Sequence, residues 1–328
     1  MSILVAGGAG YIGAHVVRLL QERGDDVVVV DDLSYGSADR IGDAKLVQLD
    51  IASSQAKRTL VNTMIDEDVT AVIHFAARKQ VGESVEKPMW YYQQNIGGLA
   101  NMLQAMRDAG VRQMIFSSSA AVYGMPPVEV VPEDIEKHPI NPYGETKLIG
   151  EWMMADCERA WDLKWIGLRY FNVAGAGADD LGDPVCLNLI PMVLEKLSQG
   201  KAPMIFGTDY DTPDGTCIRD YIHVGDLAEA HLAALDYLGG EGQTEQHVFN
   251  VGTGKGTSVR EIVDGLARVT GIDFVAEEKD RRAGDPPKLI GDATRITSEL
   301  GWKARYNVDD ILESAWSAWQ AGPRHIDV

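Results

Sequence analysis

The sequence predicts an α/β fold with a doubly wound parallel sheet and a smaller, discontinuous α/β second domain. Three observations predict it. Short apolar, β-branched runs alternate with longer helical patterns through the first half, a glycine-rich stretch joins the first run to the first helix, and the alternation breaks down after Asn172. Near-continuous apolar strands are the mark of a parallel sheet covered on both faces. Taken in order, Ser2 to Ala6 reads as a strand and Tyr11 to Arg23 as a helix ended by Gly24. Asp26 to Val30 is a buried-strand run closed by Asp31 and Asp32. Further strands are expected at Lys45 to Leu49, Ala71 to Phe75, Gln113 to Ser117 and Trp165 to Arg169. Helices are expected at Ile96 to Ala109 and Pro142 to Trp161.

After Asn172 glycine and aspartate cluster at 175–183, and a helical stretch follows from Pro191 to Ser198. Gly/Asp-rich loops are expected at Thr208 to Gly215 and Gly239 to Gly242. Asp226-Leu-Ala-Glu229 reads as a capping box opening a helix to Leu238. Val248 to Val251 is a strand that returns to the sheet, and Val259 to Val328 mixes helices with short strands. No repeat or low-complexity segment separates the domains, so the second is inserted piecewise.

Composition excludes several classes. The 49 acidic residues against 30 basic ones give a net charge of −19, the opposite of the basic footprint that nucleic-acid binding needs. An anionic membrane is repelled for the same reason. The three cysteines, 157, 186 and 217, are too few and too widely spaced for a disulfide framework or a metal set, so no metal is expected. No apolar run approaches the ~20 residues of a membrane helix, and the glycine-rich stretch begins at Gly7, which leaves no room for a removable leader. A cytoplasmic location is the expectation.

Gly7, Gly10 and Gly13 form G-x-x-G-x-x-G between the first strand and the first helix. Such a turn lets the backbone approach a pyrophosphate closely, and the helix N-terminus supplies amide donors and a positive dipole end. This is the Rossmann-type context. Asp31 stands where an acidic residue binds a ribose, about 20 residues on. With Asp32 beside it, the two carboxylates repel a 2′-phosphate, so NAD is expected rather than NADP. Asp50 and Ile51 end the next strand, toward the adenine. Phe75, Ala76 and Ala77 end the fourth, toward the middle of the cofactor.

Ser117, Ser118 and Ser119 end a strand, where open α/β sheets place their sites. Asn141 and Pro142 read as an N-cap and a first helical residue. Tyr143 and Lys147, four apart, then share one helix face. A tyrosine near its ordinary pKa of about 10 is a poor base. A neighbouring ammonium is expected to lower that value. Y-x-x-x-K alone is common, but its position after the glycine turn and the serine strand-end narrows it to a hydride-transfer site.

With these motifs together the chain resembles the extended short-chain dehydrogenase/reductases, and within them the UDP-glucose (UDP-galactose) 4-epimerase group, over essentially its whole length. The more specific stretches are 75–84, Lys87-Pro88 with Tyr91-Tyr92, 117–124, 168–172, and 215–224. The resemblance implies an NAD-dependent isomerase that interconverts UDP-galactose and UDP-glucose at C4 through a transient 4-keto sugar and bound NADH. Ser119, Tyr143 and Lys147 would be catalytic. The cofactor set would extend to Tyr11, Ile12, Leu33, Ser34, Lys79, Gln94, Ser117, Tyr170 and Phe171. The UDP-sugar would meet Lys79, Ser119, Tyr143, Asn172, Asn188, Leu189, Met204, Phe206, Arg219, Tyr221, Arg282 and Asp285. Arg219 and Arg282 suit a diphosphate, and Asp285 a uridine ribose.

It also implies an NAD-binding domain at 1–175, joined by 220–255, and a UDP-sugar-binding domain at 176–219 and 256–328. A homodimer through the helices at Ile96 to Ala109 and Pro142 to Trp161 is implied too, although their apolar faces suit a core equally. A sugar-nucleotide dehydratase would need an acid and a base where Ala120 and Ala121 stand. A non-catalytic NAD sensor would be expected to lose Tyr143 or Lys147. Epimerases of UDP-N-acetylhexosamines or UDP-pentoses stay open. Ala6, Ala121, Gln94 and Leu289 depart from the group's usual residues, and those departures bear on sugar choice more than on the chemistry.

Overall fold

The computed structural model describes residues 1–240, 246–282 and 285–322. From the N-terminus the order is β1 (Ser2–Ala6), α1 (Tyr11–Arg23), β2 (Asp26–Asp31), β3 (Lys45–Gln48), α2 (Ala56–Asp66), β4 (Ala71–His74), α3 (Val81–Glu86), α4 (Pro88–Tyr91), α5 (Gly98–Ala109) and β5 (Gln113–Ser119). Then come β6 (Val130–Val131), α6 (Pro142–Trp161), β7 (Lys164–Tyr170), β8 (Asn172–Ala174), α7 (Leu189–Ser198), β9 (Met204–Phe206), β10 (Ile218–His223) and α8 (Val224–Gly239). The chain closes with β11 (Val248–Val251), β12 (Gly256–Ser258), α9 (Val259–Thr270), β13 (Glu277–Lys279), β14 (Lys288–Gly291), α10 (Thr294–Leu300) and α11 (Val308–Gln320). No helix among the described residues is long and apolar enough to cross a membrane.

The chain forms two compact units. The first comprises 1–124, 136–169 and 228–249. Its seven-stranded sheet has the order β11-β7-β5-β4-β1-β2-β3. The pairings of β1 with β2 and β4, of β2 with β3, and of β4 with β5 are all parallel. Val27 to Val30 are buried as the apolar run required. The strand order reverses beside β1, which opens a crevice at its carboxyl end, the place where such sheets bind ligands. One face is packed by α2 and α5 through Leu60, Met64, Leu99, Met102 and Met106.

The second unit comprises 125–135, 170–227 and 250–328. Its larger sheet runs β12-β10-β14-β6, with β8 also on β10, and β13 pairs with β9. Its core gathers Ile190, Val193 and Leu194 of α7, Ile262 and Leu266 of α9, and Ile311 and Leu312 of α11. The unit boundaries differ from the expected segments. Residues 125–135 join the second unit because Val130–Val131 pair with Ile290–Gly291, and Glu133 accepts the Asn250 amide at 2.9 Å. Only 228–249 of the expected 220–255 return to the first unit.

Two local expectations are corrected. The helix expected from Ile96 begins as a π-helical turn over Tyr92–Gly97, and α5 proper starts at Gly98. Asp226 does not cap a helix that starts at it. α8 begins at Val224, the His223 ring nitrogen accepts the Gly225 amide at 3.0 Å, and buried Asp226 accepts the amides of Arg305 and Tyr306. The expected loop at Gly239 to Gly242 lies partly outside the described residues.

Candidate active site

In the first unit, the turn between β1 and α1 is built by exclusion. Gly7 has φ +79°, and a Cβ there would lie 2.7 Å from the Ala76 nitrogen. A Cβ at Gly13 would lie 2.2 Å from the Gly7 oxygen. Side chains at these positions would push the loop after β4 and the first turn of α1 off the strand end. The result is a bare backbone cradle that opens on the α1 N-terminus, where Gly10 caps the helix with no side-chain hydrogen bond. A helix N-terminus suits a phosphate, and the cradle fits a dinucleotide pyrophosphate. Tyr11 is buried, and its ring meets His15 edge-on at 5.8 Å. Ile12 follows on the same first turn, half-buried.

The end of β2 is held by carboxylates. Asp31 accepts the amides of Ala9 at 3.0 Å and Leu33 at 2.8 Å. Burial raises its pKa and those donors oppose the rise. Leu33 carries a φ of +61°, a left-handed conformation costing a leucine roughly 1–2 kcal/mol. Such strain persists where a surrounding site dictates it. Asp32 accepts from Ser34 and from Arg78 at 2.5 Å. Burial pushes Asp32 upward, but Ser34 and Arg78 outweigh it and hold the carboxyl below its ordinary value. The two aspartates therefore do not present two open charges: one is occupied by backbone amides and the other by a guanidinium. Asp50 accepts the Ala52 amide at 2.8 Å, just beyond β3, and Ile51 is buried against Gly98.

Past β4, the Phe75 and Ala76 amides both bond the Ala6 carbonyl, at 2.7 and 3.0 Å, so this segment stays tucked against β1. Phe75 packs on His231 with ring centroids 4.7 Å apart. Ala77 and Lys79 are half-buried. Gln94 accepts from the Arg78 guanidinium, while its buried neighbour Asn95 bonds both backbone groups of Arg78, at 2.7 and 3.0 Å.

The catalytic candidates stand on β5 and α6. Asn141 caps α6 by accepting the Gly144 amide at 2.9 Å, and Pro142 fills the first helical position. That fixes the turn bearing Tyr143 and Lys147, both buried. A Cβ at Gly150 would lie 2.4 Å from the Phe116 ring, so glycine lets α6 rest on β5. Lys147 Nζ then reaches the Ser117 carbonyl at 2.8 Å and lies 5.4 Å from the Phe116 ring centroid and 5.9 Å from that of Tyr143. Ser119 Oγ accepts the Ala121 amide at 3.2 Å, and the same hydroxyl hydrogen-bonds the Tyr143 phenol.

The electrostatics correct one expectation. Burial raises the Tyr143 pKa above its ordinary value, and the Ser119 hydrogen bond only partly offsets this. Burial also holds Lys147 down to about 8. Burial governs both groups, so a phenolate here needs further positive charge nearby. His74, at the end of β4, is held at about 3 by burial and then by the Lys147 charge, and its Nδ1 is buried without a hydrogen-bond partner.

Sequence reasoning missed the support beneath this pair. Glu151, one turn beyond Lys147, accepts from Ser118 at 2.6 Å and from Arg169 at 2.8 and 2.6 Å. Arg169 also donates to the Tyr123 hydroxyl at 2.9 Å. Breaking such a buried pair costs about 3–5 kcal/mol. The available signal was a carboxylate spaced four from Lys147, on a helix face facing the sheet.

In the second unit the structure brings two pairs of expected residues together. Arg219 Nη2 lies 3.3 Å from Asp285, while Nη1 donates to the carbonyls of Ile218 and Pro286. The Arg282 guanidinium lies 4.1 Å from the Phe206 ring centroid. Met204 and Phe206 share one face of β9, with Ile205 buried on the other. Asn188 caps α7 in extended conformation and donates to Asp183 at 2.7 Å, with Leu189 beginning the helix. Tyr221 is buried on β10 opposite exposed Asn172 of β8. Phe171 is buried against Gly291, where a Cβ would lie 2.4 Å from its ring, and half-buried Tyr170 precedes it.

Residues 3–252 match the NAD dependent epimerase/dehydratase family. The chain is 44% identical to a UDP-glucose 4-epimerase of Lactobacillus helveticus, over 99% of this chain and 98% of that protein. It matches the crystal structure of a UDP-glucose 4-epimerase at 43% identity and a TM-score of 0.94, over 100% of both chains. It also matches the Bifidobacterium longum UDP-glucose 4-epimerase in complex with NAD+ and UDP at 35% identity and a TM-score of 0.90, over 99% of this chain and 100% of that one.

Proposed function

The chain belongs to the NAD dependent epimerase/dehydratase family, and from that premise we propose that it interconverts UDP-galactose and UDP-glucose at C4 through a transient 4-keto sugar. The observation that carries the reading is the Ser119–Tyr143–Lys147 constellation, buried on β5 and α6 of the unit that also holds the glycine cradle. NAD, when bound, takes up the hydride from C4 and returns it to the opposite face of the ketone.

The chain's own residues do the rest. Gly7, Gly10 and Gly13 leave room for the pyrophosphate, and Asp31 faces the ribose. Tyr143, its pKa raised by burial and only partly relieved by Ser119, would be held as the phenolate by a cationic ring bound beside it. Tyr143 then holds the proton of the sugar 4-hydroxyl, and Ser119 bonds the same oxygen. Lys147 steadies the nicotinamide ribose. Arg219 and Arg282 grip the diphosphate and Asp285 the uridine ribose, while the hexose is gripped loosely enough to turn over. With alanines at 120 and 121, no acid and base stand ready to eliminate water. Net redox change is zero, so no second redox substrate is consumed.

Turnover of UDP-galactose by the protein as purified, without added NAD, tests this. Tyr143→Phe is expected to abolish it, and near-normal turnover in that variant would sink the assignment. We place the protein in the cytoplasm and propose a homodimer. The apolar residues of α5 are largely core, so exposed Val85, Met89 and Trp152 on α3, α4 and α6 form the better contact. Sedimentation of a single subunit at assay concentration would remove the dimer.

A further inference from the structure

Arg78 lies within the 75–84 stretch but has no role in the reading above, and its side chain is engaged on every side. Its guanidinium pairs with Asp32 at 2.5 Å, donates to Ser34 Oγ, and shares Gln94 Oε1 between Nε at 3.3 Å and Nη2 at 3.2 Å. Two aromatic rings flank it, Tyr35 at 5.4 Å and Trp90 at 5.2 Å. Its side chain is only 14% exposed. Its root is fixed as well, because Asn95 bonds both its amide and its carbonyl, and Asn95 in turn bonds Thr146 on the catalytic helix at 3.0 Å.

The topology gives this cluster its meaning. β1 lies between β4 and β2, and all three are parallel. The loops after β4 and β2 therefore emerge on either side of the Gly7–Gly13 turn, about 10 Å apart at two strand spacings. Arg78 leaves the first loop and binds Asp32 and Ser34 on the second. The second loop leans on the glycine turn itself, where the Ser37 amide bonds the Ala9 carbonyl at 3.4 Å. The bridge thus crosses the crevice in which a dinucleotide lies when its pyrophosphate sits on the α1 N-terminus.

We propose that Arg78 is a strap over the dinucleotide, a positioning residue that keeps the cofactor in place between the two halves of the hydride transfer. The proposal rests on the NAD-dependent reading above. A reaction that returns its hydride gains nothing from cofactor exchange, and release midway would strand a keto sugar. The strap is rooted on Asn95, tied to Asp32 by charge, and flanked by rings that hold the guanidinium plane. For the dinucleotide to leave, the Asp32 pair and the Ser34 bond must break together.

The test is exchange of the NAD bound to the purified holoprotein against an excess of isotopically labelled NAD, for wild type, Arg78→Met and Arg78→Lys. The methionine variant keeps the apolar stem and loses every polar contact. Its exchange is expected to rise by roughly tenfold or more, as the loss of charged hydrogen bonds predicts. Wild-type exchange should quicken with added salt, since the partly exposed ion pair is screened, and that salt dependence should vanish in Arg78→Met. Arg78→Lys keeps the charge without the fork and should fall between, so the result does not hang on the folding of one variant. Equal exchange in all three proteins would overturn the strap while leaving the epimerase reading intact. A wild type that binds no NAD would overturn that reading, and the strap with it.

Discussion

In the first unit the charged groups assigned to chemistry are buried and fully engaged. Lys147 is 4% exposed and bonded to a carbonyl, and Glu151 and Arg169, 5% and 3% exposed, close on each other. In the second unit the Arg219 side chain is 11% exposed, but the other charged groups assigned to binding stay within reach of water. The Asp285 side chain is 40% exposed beside Arg219, and Arg282 is exposed over Phe206. Proton transfer gains from groups fixed in a dry, preorganised place. Recognition gains from charges that can exchange a protein partner for a ligand at little cost. One chain separates the two demands by putting the first on a long helix and strand and the second on short strands and loops.

The sharpest way to break this contrast is Lys147→Met. Turnover should fall by about 10²–10⁴-fold, the usual weight of one group in proton transfer, while the protein becomes more stable. Lysine ordinarily titrates near 10.5, and burial holds Lys147 at about 8. As pH falls from 10.5 to 8, the unfolded chain takes up a proton that the folded chain refuses, so the fold loses stability over that window. Below pH 8 the loss is complete and constant. Methionine removes it. A thermal midpoint at pH 7 that drops along with turnover would show that the ammonium supports the fold instead of burdening it.

The next effect is acid sensitivity. Histidine titrates near 6.5, but His74 is held at about 3, by burial first and the Lys147 charge second. The stabilisation from neutral His74 is complete above pH 6.5 and is lost as pH falls toward 3, at about 1.4 kcal/mol per pH unit. The second unit has a smaller counterpart in His223, held by burial at about 4, which sets a window from 6.5 to 4. His74→Leu should therefore flatten the fall of stability with acid without abolishing it. Denaturant midpoints with the same slope in both proteins between pH 6 and pH 4 would count against a neutral buried His74.

How much of this was legible follows the same division. The bounds of α1 and α6 coincide with those read from the sequence, because Gly24 closes the first and Asn141-Pro142 open the second with local signals. Tyr143 and Lys147 were readable for the same reason: helix spacing alone puts them on one face. The π-turn at Tyr92–Gly97 carries no compositional mark. The Arg78 bridge and the Arg169–Glu151 pair join residues distant in sequence, so no local pattern announces them. The second unit suffers most. Val130–Val131 is a strand only because Ile290–Gly291 lies beside it, and two residues show no periodicity.

The smallest predicted effect probes that second unit directly. Arg219 donates to Ile218 and Pro286 through Nη1, which leaves Nη2 and its pair with Asp285 as the part free to change partner. If a diphosphate takes Asp285's place, Arg219→Ala loses charged hydrogen bonds worth about 1.5–3 kcal/mol, a rise in KM for UDP-galactose of roughly 10–100-fold. Turnover at saturation should move only a few-fold, because the group touches no reacting atom. Arg219→Lys keeps charge without the fork and should recover part of the loss. Steady-state kinetics with UDP-galactose separate the cases. A kcat that falls as far as the Lys147 variant's, with KM unchanged, would mean that binding and chemistry are not divided between the two units as proposed.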